Sequence, residues 1–180
     1  MSQQPLLKVR DLAVTYRLGS AFGAGKRTFV AVNRVSFDIG AGQGFALVGE
    51  SGSGKTTIGR AILGLVPVSG GSIEYDGQDV TRHGRSTPAS FRREVQVVFQ
   101  DPRSSLNPRR TIRDSIYSVL NHHFPMTRQQ ADDRVAELLQ NVGLPAYHMQ
   151  RFPGELSGGQ RQRVAIAKAL ATKPRLLVCD

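Results

Sequence analysis

Gly49-Glu50-Ser51-Gly52-Ser53-Gly54-Lys55-Thr56 is the stretch on which the fold turns. It fits G-x-x-x-x-G-K-[ST], a loop whose glycines let the backbone turn so that successive N–H groups converge on phosphate oxygens. Lys55 brings a full positive charge toward the β- and γ-phosphates of a nucleotide, and the Thr56 hydroxyl suits Mg²⁺. Glu50, Ser51 and Ser53 fill the variable positions and contribute mainly backbone, and Thr57 follows as a further nucleotide contact. Upstream, the apolar run Gly44-Phe45-Ala46-Leu47-Val48 predicts a buried strand. Downstream, Thr57 to Leu63 predicts a helix. A strand feeding a helix N-terminus through glycines is the anion site that aligned peptide dipoles favour. The competing reading is a chance glycine-rich turn, which average residue usage allows less than about once in a hundred chains of this size.

A chain of 180 residues with 39% hydrophobic content fits one α/β domain able to bury a real core. Its single cysteine, Cys179, excludes an internal disulfide framework and suits a reducing compartment. Met1 to Pro5 lacks the charged and apolar regions of a signal peptide. No apolar run approaches the roughly eighteen residues that span a bilayer. At a membrane, the expected role is that of a peripheral subunit.

The net charge of +10 is unevenly spread. Residues 81–113 hold eight arginines against two carboxylates, and residues 150–175 hold six Lys/Arg against Glu155. Such clusters can meet nucleic acid or anionic lipid. They can equally line phosphate sites and subunit contacts, which is the simpler reading. The stacking aromatics of a single-strand binder are scarce, with eight Phe, four Tyr and no Trp.

Along the chain, Leu6 to Leu18 alternates in strand fashion through Val9, Leu12, Val14 and Tyr16. Residues 19–28 form a glycine-rich basic insertion, and Phe29–Ile39 predicts a second strand pair. Pro67 to Gly71 turns into a strand over Ser72–Gly77, and 81–90 is a polar loop. Val95-Gln96-Val97-Val98-Phe99 predicts a buried strand ending at Gln100. Helices then take over: Thr127 with Gln130 is a capping-box signal. Val135, Leu138, Leu139 and Val142 recur at helical spacing, and Gly143-Leu144-Pro145 stops the helix.

Leu156-Ser157-Gly158-Gly159-Gln160-Arg161-Gln162-Arg163 resembles the signature motif of ATP-binding-cassette (ABC) ATPases. Tyr16 on the first strands, the phosphate loop, Gln100 after a buried strand and Asp180 after Leu176-Leu177-Val178-Cys179 complete that family's elements in order. The run Val98 to Arg109 and the insertion after Tyr16 resemble the dipeptide/oligopeptide importer subfamily, which also handles nickel and glutathione. The resemblance implies a P-loop NTPase (RecA-like) core with an N-terminal antiparallel β region and an inserted helical subdomain. It divides the chain into an ATP-binding core over 1–100, the helical subdomain over 101–155, and the signature helix with the Walker B strand over 156–180.

The resemblance also implies roles. Tyr16 would stack on adenine, a contact of about 1 kcal/mol; as an alternative, it is a core tyrosine on an alternating strand. Gln100 would touch Mg²⁺ or its water, and the segment after it would meet a membrane subunit. Ser157, Gly158, Gly159 and Gln160 would close over ATP held by a second cassette, with Ser157 capping a helix aimed at the γ-phosphate. Thr56, Gln100 and Asp180 would serve Mg²⁺. The implied partners are a second ABC ATPase subunit head to tail, two transmembrane permease subunits and, indirectly, a solute-binding protein, at the cytoplasmic face of the inner membrane and without a specific nucleic acid.

In the family a glutamate that orients the attacking water follows the Walker B aspartate, and this sequence ends at Asp180. The expectation is therefore an incomplete core and poor hydrolysis, with Asp180's strand lying beside the P-loop strand. A non-hydrolysing ATP-binding fragment and a soluble ABC ATPase acting on nucleic acid are the alternatives. His83, His122, His123 and His148 do not fit the family's switch histidine and are expected on the surface or in loops.

Overall fold

The computed structural model describes residues 4–18, 27–82, 87–101 and 105–180. They form two compact units, Met1–Pro88 and Ala89–Asp180. The insertion at 19–28 lies outside the described residues but for its last two positions, and His83 lies outside them too.

The first unit is built on an antiparallel sheet. Strands β1 (Leu7–Leu18), β2 (Arg27–Ile39), β3 (Gly70–Tyr75) and β4 (Gln78–Asp79) lie in the order β2-β1-β3-β4. Its buried face carries Leu7, Val9, Leu12 and Val14. Strict alternation fails between Val9 and Leu12, and a β-bulge accounts for it. Asp11 takes φ 45° and the register shifts there against both neighbours, so an extra residue returns Leu12 to the core side. The Asp11 N–H leaves the ladder and donates to Ser36 Oγ at 2.8 Å. Gly71 answers the bulge from β3. At φ +81°, a Cβ there would stand 2.3 Å from the Arg10 and Asp11 carbonyl oxygens.

Two expectations for this unit are corrected. Phe29–Ile39 belongs to a single strand, β2, itself irregular at Arg34 (φ 50°), rather than to a strand pair. Gly44–Val48 is not a strand, and Val48 is 93% exposed. A strand apolar on both sides holds only with ladders on both edges and cover on both faces, and among the described residues no strand pairs with it. Its one aromatic, Phe45, stacks instead on Phe37 of β2, with ring centroids 4.8 Å apart. Helix α1 (Lys55–Ile62) follows and buries Ile58, Ala61 and Ile62.

The second unit joins a short parallel sheet to a helical cluster. After α2 (Ala89–Glu94), strand β5 (Val95–Val98) pairs in parallel with β6 (Leu176–Cys179), Val95 opposite Leu176 and Val98 opposite Cys179. The partner of Asp180's strand is thus β5, not the expected P-loop strand. Helices α3 (Ile112–His123), α4 (Arg128–Asn141) and α5 (Gly158–Leu170) enclose a core of Ile112, Ile116, Val135, Leu139 and Val164, each 0% exposed. The expected capping box is present: Thr127 Oγ1 accepts from Gln130 N–H at 3.3 Å, and Gln130 Oε1 accepts from Thr127 N–H at 2.9 Å. Gly143 (φ 71°) ends α4, and the Leu144 N–H closes back on the Leu139 carbonyl at 2.9 Å.

Because Leu139 is fully enclosed, Leu139→Ala should destabilise this unit by about 2–5 kcal/mol. Gln140→Ala, one exposed position further on, should stay within about 0.5 kcal/mol. Urea unfolding followed by circular dichroism compares the two.

Candidate nucleotide-binding site

In the first unit the predicted loop folds as a ring around its lysine. Lys55 Nζ donates to the Gly49 carbonyl at 2.9 Å, the Glu50 carbonyl at 2.6 Å and Ser53 Oγ at 3.2 Å. Ser53 N–H closes the turn onto the Glu50 carbonyl at 3.2 Å. Gly54 caps α1 at φ 95° with no side chain to satisfy the helix's first N–H groups, and no acidic residue stands in the first turn. That leaves a positive helix end with a lysine folded over it, the physical form of an anion cradle. Gly54 is obligatory here, since a Cβ would lie 2.4 Å from the Ala31 carbonyl oxygen. Gly49, Glu50, Ser51, Gly52 and Ser53 are exposed, while Lys55, Thr56 and Thr57 are half-buried on α1.

Tyr16 stands near the end of β1, half-buried and directly across from Phe29 of β2, which is 52% exposed. Cross-strand partners share a face, so an aromatic pair lines this end of the sheet. Phe29 was not singled out from the sequence, because the strand register that brings it to Tyr16 is a long-range property.

In the second unit, Asp180 follows β6 directly and Gln100 lies two positions beyond β5. The Asp180 N–H donates to the Val98 carbonyl at 3.0 Å, so the parallel register brings both exposed side chains to the carboxyl end of one strand pair. Among the described residues no group of three or more His, Cys, Asp or Glu could hold a metal ion.

The signature turn in this unit is tightly held. Ser157 Oγ accepts from Gln160 N–H at 3.2 Å, and Gln160 Oε1 accepts from Ser157 N–H at 2.9 Å, a complete capping box at the start of α5. Arg161 Nη1 reaches back to the Leu156 carbonyl at 2.5 Å and the Pro153 carbonyl at 3.3 Å. Glu155 accepts from the Phe152 N–H at 2.6 Å and from Arg151 at 3.3 Å. Lys168 of α5 donates to the Ser105 carbonyl at 2.8 Å, so the signature helix holds the segment that follows Gln100, and burial lowers the affinity of that ammonium for its proton. Gly158 and Gly159 are exposed, and a Cβ on either would meet nothing within 4 Å.

The histidine expectation is corrected in part. His122 is exposed and His123 half-buried, but His148 is only 6% exposed, within the 3-10 turn Ala146–Gln150. Its neighbour Tyr147 stacks on it with ring centroids 4.4 Å apart. Pro145 starts that turn and α4 packs on it, which a single histidine in a polar stretch does not reveal.

A phosphate cradle and a capped Ser-Gly-Gly turn on one chain define an ATP-binding cassette. Residues 32–180 match the family described as "ABC transporter", and the chain belongs to that family. It is 46% identical over 178 residues to "Glutathione import ATP-binding protein GsiA" of Escherichia coli (strain K12), covering 98% of this chain and 29% of that protein. It is 43% identical over 180 residues to "Oligopeptide transport ATP-binding protein AmiF" of Streptococcus pneumoniae serotype 4, covering 98% of this chain and 56% of that one. The chain thus spans between about a third and about half of the length of these relatives. Among solved structures it resembles "Dimeric Structure of MJ0796, a Bacterial ABC Transporter Cassette", at TM-score 0.86 and 28% identity over 97% of this chain and 73% of that one. The same cassette in "a post-hydrolysis state … bound to ADP and Pi" gives a TM-score of 0.83 at 28% identity, again over 97% and 73%. The fold is that of an ABC ATPase cassette.

The Phe152 N–H, ahead of Arg151, holds the Glu155 carboxyl below the usual carboxylate range. A carboxyl whose folded value is lowered stabilises fully above its unfolded value, and that contribution fades as pH falls through the folded one. The turn before α5 should therefore loosen on acidification below about pH 4.3. Glu155→Gln should remove this part of the pH dependence. Thermal midpoints measured from neutral to acid pH for both chains test it.

Proposed function

We propose that this chain is the ATP-binding cassette of an importer for peptides or similar small solutes such as glutathione, coupling ATP binding and hydrolysis to transport. One observation carries the ATP reading: Lys55 Nζ, ringed by oxygens of its own loop, stands over an α-helix end capped by a left-handed glycine. A cradle that a Cβ at Gly54 would close fits a phosphate chain. Lys55 gives its charge to the β- and γ-phosphates, the loop's N–H groups hold their oxygens, and Tyr16 offers its ring to adenine. Thr56, Gln100 and Asp180 are the proposed Mg²⁺ side, oxygen donors of the hard kind that ion takes. Bound Mg²⁺ supplies neutralisation of phosphate charge, and Gln100 orients water or the ion.

Gly158 and Gly159 support a partner cassette. Neither takes a positive φ, and among the described residues nothing crowds either position. Glycine at two successive positions of a first helical turn gives up the restriction of the unfolded chain that alanine would supply. A surface that must approach closely from outside the chain accounts for that loss. The relatives named for import support two membrane permease subunits, a solute-binding protein and a peripheral place at the cytoplasmic face of the inner membrane. No helix among the described residues is long and apolar enough to cross a membrane.

Saturating Mg·ATP at a hundred times Kd should raise stability by about 2.7 kcal/mol, read as a thermal shift. Lys55→Ala should abolish it, and a shift that survives the substitution refutes the loop's assignment. Gly158→Ala and Gly159→Ala should leave that shift intact and the free chain equally or more stable, while weakening ATP-driven pairing measured by sedimentation. Pairing undiminished in both variants would overturn the partner reading.

A further inference from the structure

Between the Pro145 carbonyl and the first turn of α5 runs a closed relay of hydrogen bonds. Gln160 Oε1 is engaged by the Ser157 N–H at 2.9 Å. The amide's other end, Nε2, is therefore the donor that faces His148 Nε2 at 3.4 Å. A donor requires an acceptor, so His148 Nε2 is bare and the proton is on Nδ1, 3.2 Å from the Pro145 carbonyl oxygen to which it donates. Every member has one consistent role, and the imidazole at its centre is 6% exposed. A buried polar group persists only when its partners are in place. Here the partner is the side chain that holds the Ser157 N–H.

We infer that His148 is a positioning residue for the signature turn: its neutral, Nδ1-protonated ring orients the Gln160 amide and thereby sets the N–H groups that α5 presents to nucleotide. The inference rests on the reading of α5 as the face that closes over a partner's ATP. Without an acceptor at His148, the Gln160 amide is free to rotate and the Ser157 N–H loses its fixed partner. The nucleotide loop around Lys55 has no part in this relay. His148 therefore acts on closure and not on the chain's own ATP affinity.

The test uses this chain with ¹⁵N-labelled imidazole and Mg·ATP as the probe. In the unsubstituted protein the nitrogen shifts should show Nδ1 protonated and Nε2 bare. His148→Phe keeps a ring but offers no acceptor. It should speed amide exchange at Ser157 about fivefold, the loss of one hydrogen bond, and weaken ATP-driven pairing by a similar factor while the Lys55-dependent thermal shift stays unchanged. His148→Gln restores an acceptor and should recover both exchange protection and pairing. A protonated Nε2 in the unsubstituted chain overturns the inference, as does a His148→Phe chain that pairs normally. Failure of His148→Gln to rescue, or loss of the thermal shift along with pairing, reduces His148 to a packing residue and also overturns it. If the unsubstituted chain shows no Lys55-dependent response, the functional reading itself fails, and the inference falls with it even where the nitrogen shifts match.

Discussion

The approach of Gly54 to the Ala31 carbonyl is the constraint on which the first unit depends. At 2.4 Å from that oxygen a Cβ has no room, and the φ of 95° is closed to other residues at low cost. This contact locks the start of α1 against β2. Because the helix begins there, its positive end and the ring around Lys55 come together in one place. Sheet, helix and cradle are thus one construction, and the packing of Ile58 and Ile62 beneath α1 supports a charged feature that could not hold its shape alone.

In the second unit the corresponding constraint is polar satisfaction. Helix α5 has a buried flank through Val164 and Ala167 and an exposed glycine-rich beginning. The first fixes where the helix lies, and the capping box fixes how it starts. Arg161, Glu155 and Lys168 then tie the approach to the helix and the segment after Gln100 to the same framework. A turn that has to face outward with two glycines is held from behind by side chains that never need to touch a ligand.

Much of this was legible in the sequence, and the division follows the range of the forces. The phosphate loop, the capping box at Thr127 and the Gly143 stop rest on contacts within a few residues, so their patterns are local, while the helix cap at Ser157 came with the family resemblance. The parallel pairing of β5 with β6 was not foreseen: the resemblance put Asp180's strand beside the P-loop strand, and spacing alone does not say which strands adjoin. Gly44–Val48 read as a strand because its composition is apolar, yet a strand exists only with partners for its N–H and C=O groups. His148 reads as a surface or loop histidine for the same reason. Its importance comes from Gln160, twelve positions away, and only tertiary structure joins them.

The bulge at Asp11 ties two distant positions into one inheritable unit. Without Asp11, β1 would run as a regular strand with Leu12 and Val14 still facing the core, and the carbonyls that now forbid a side chain at position 71 would no longer be thrown against it. Length in one strand and glycine in another should therefore change together as such sequences diverge. A graft of this β1 onto another cassette should carry its partner glycine with it, or the sheet will accept neither.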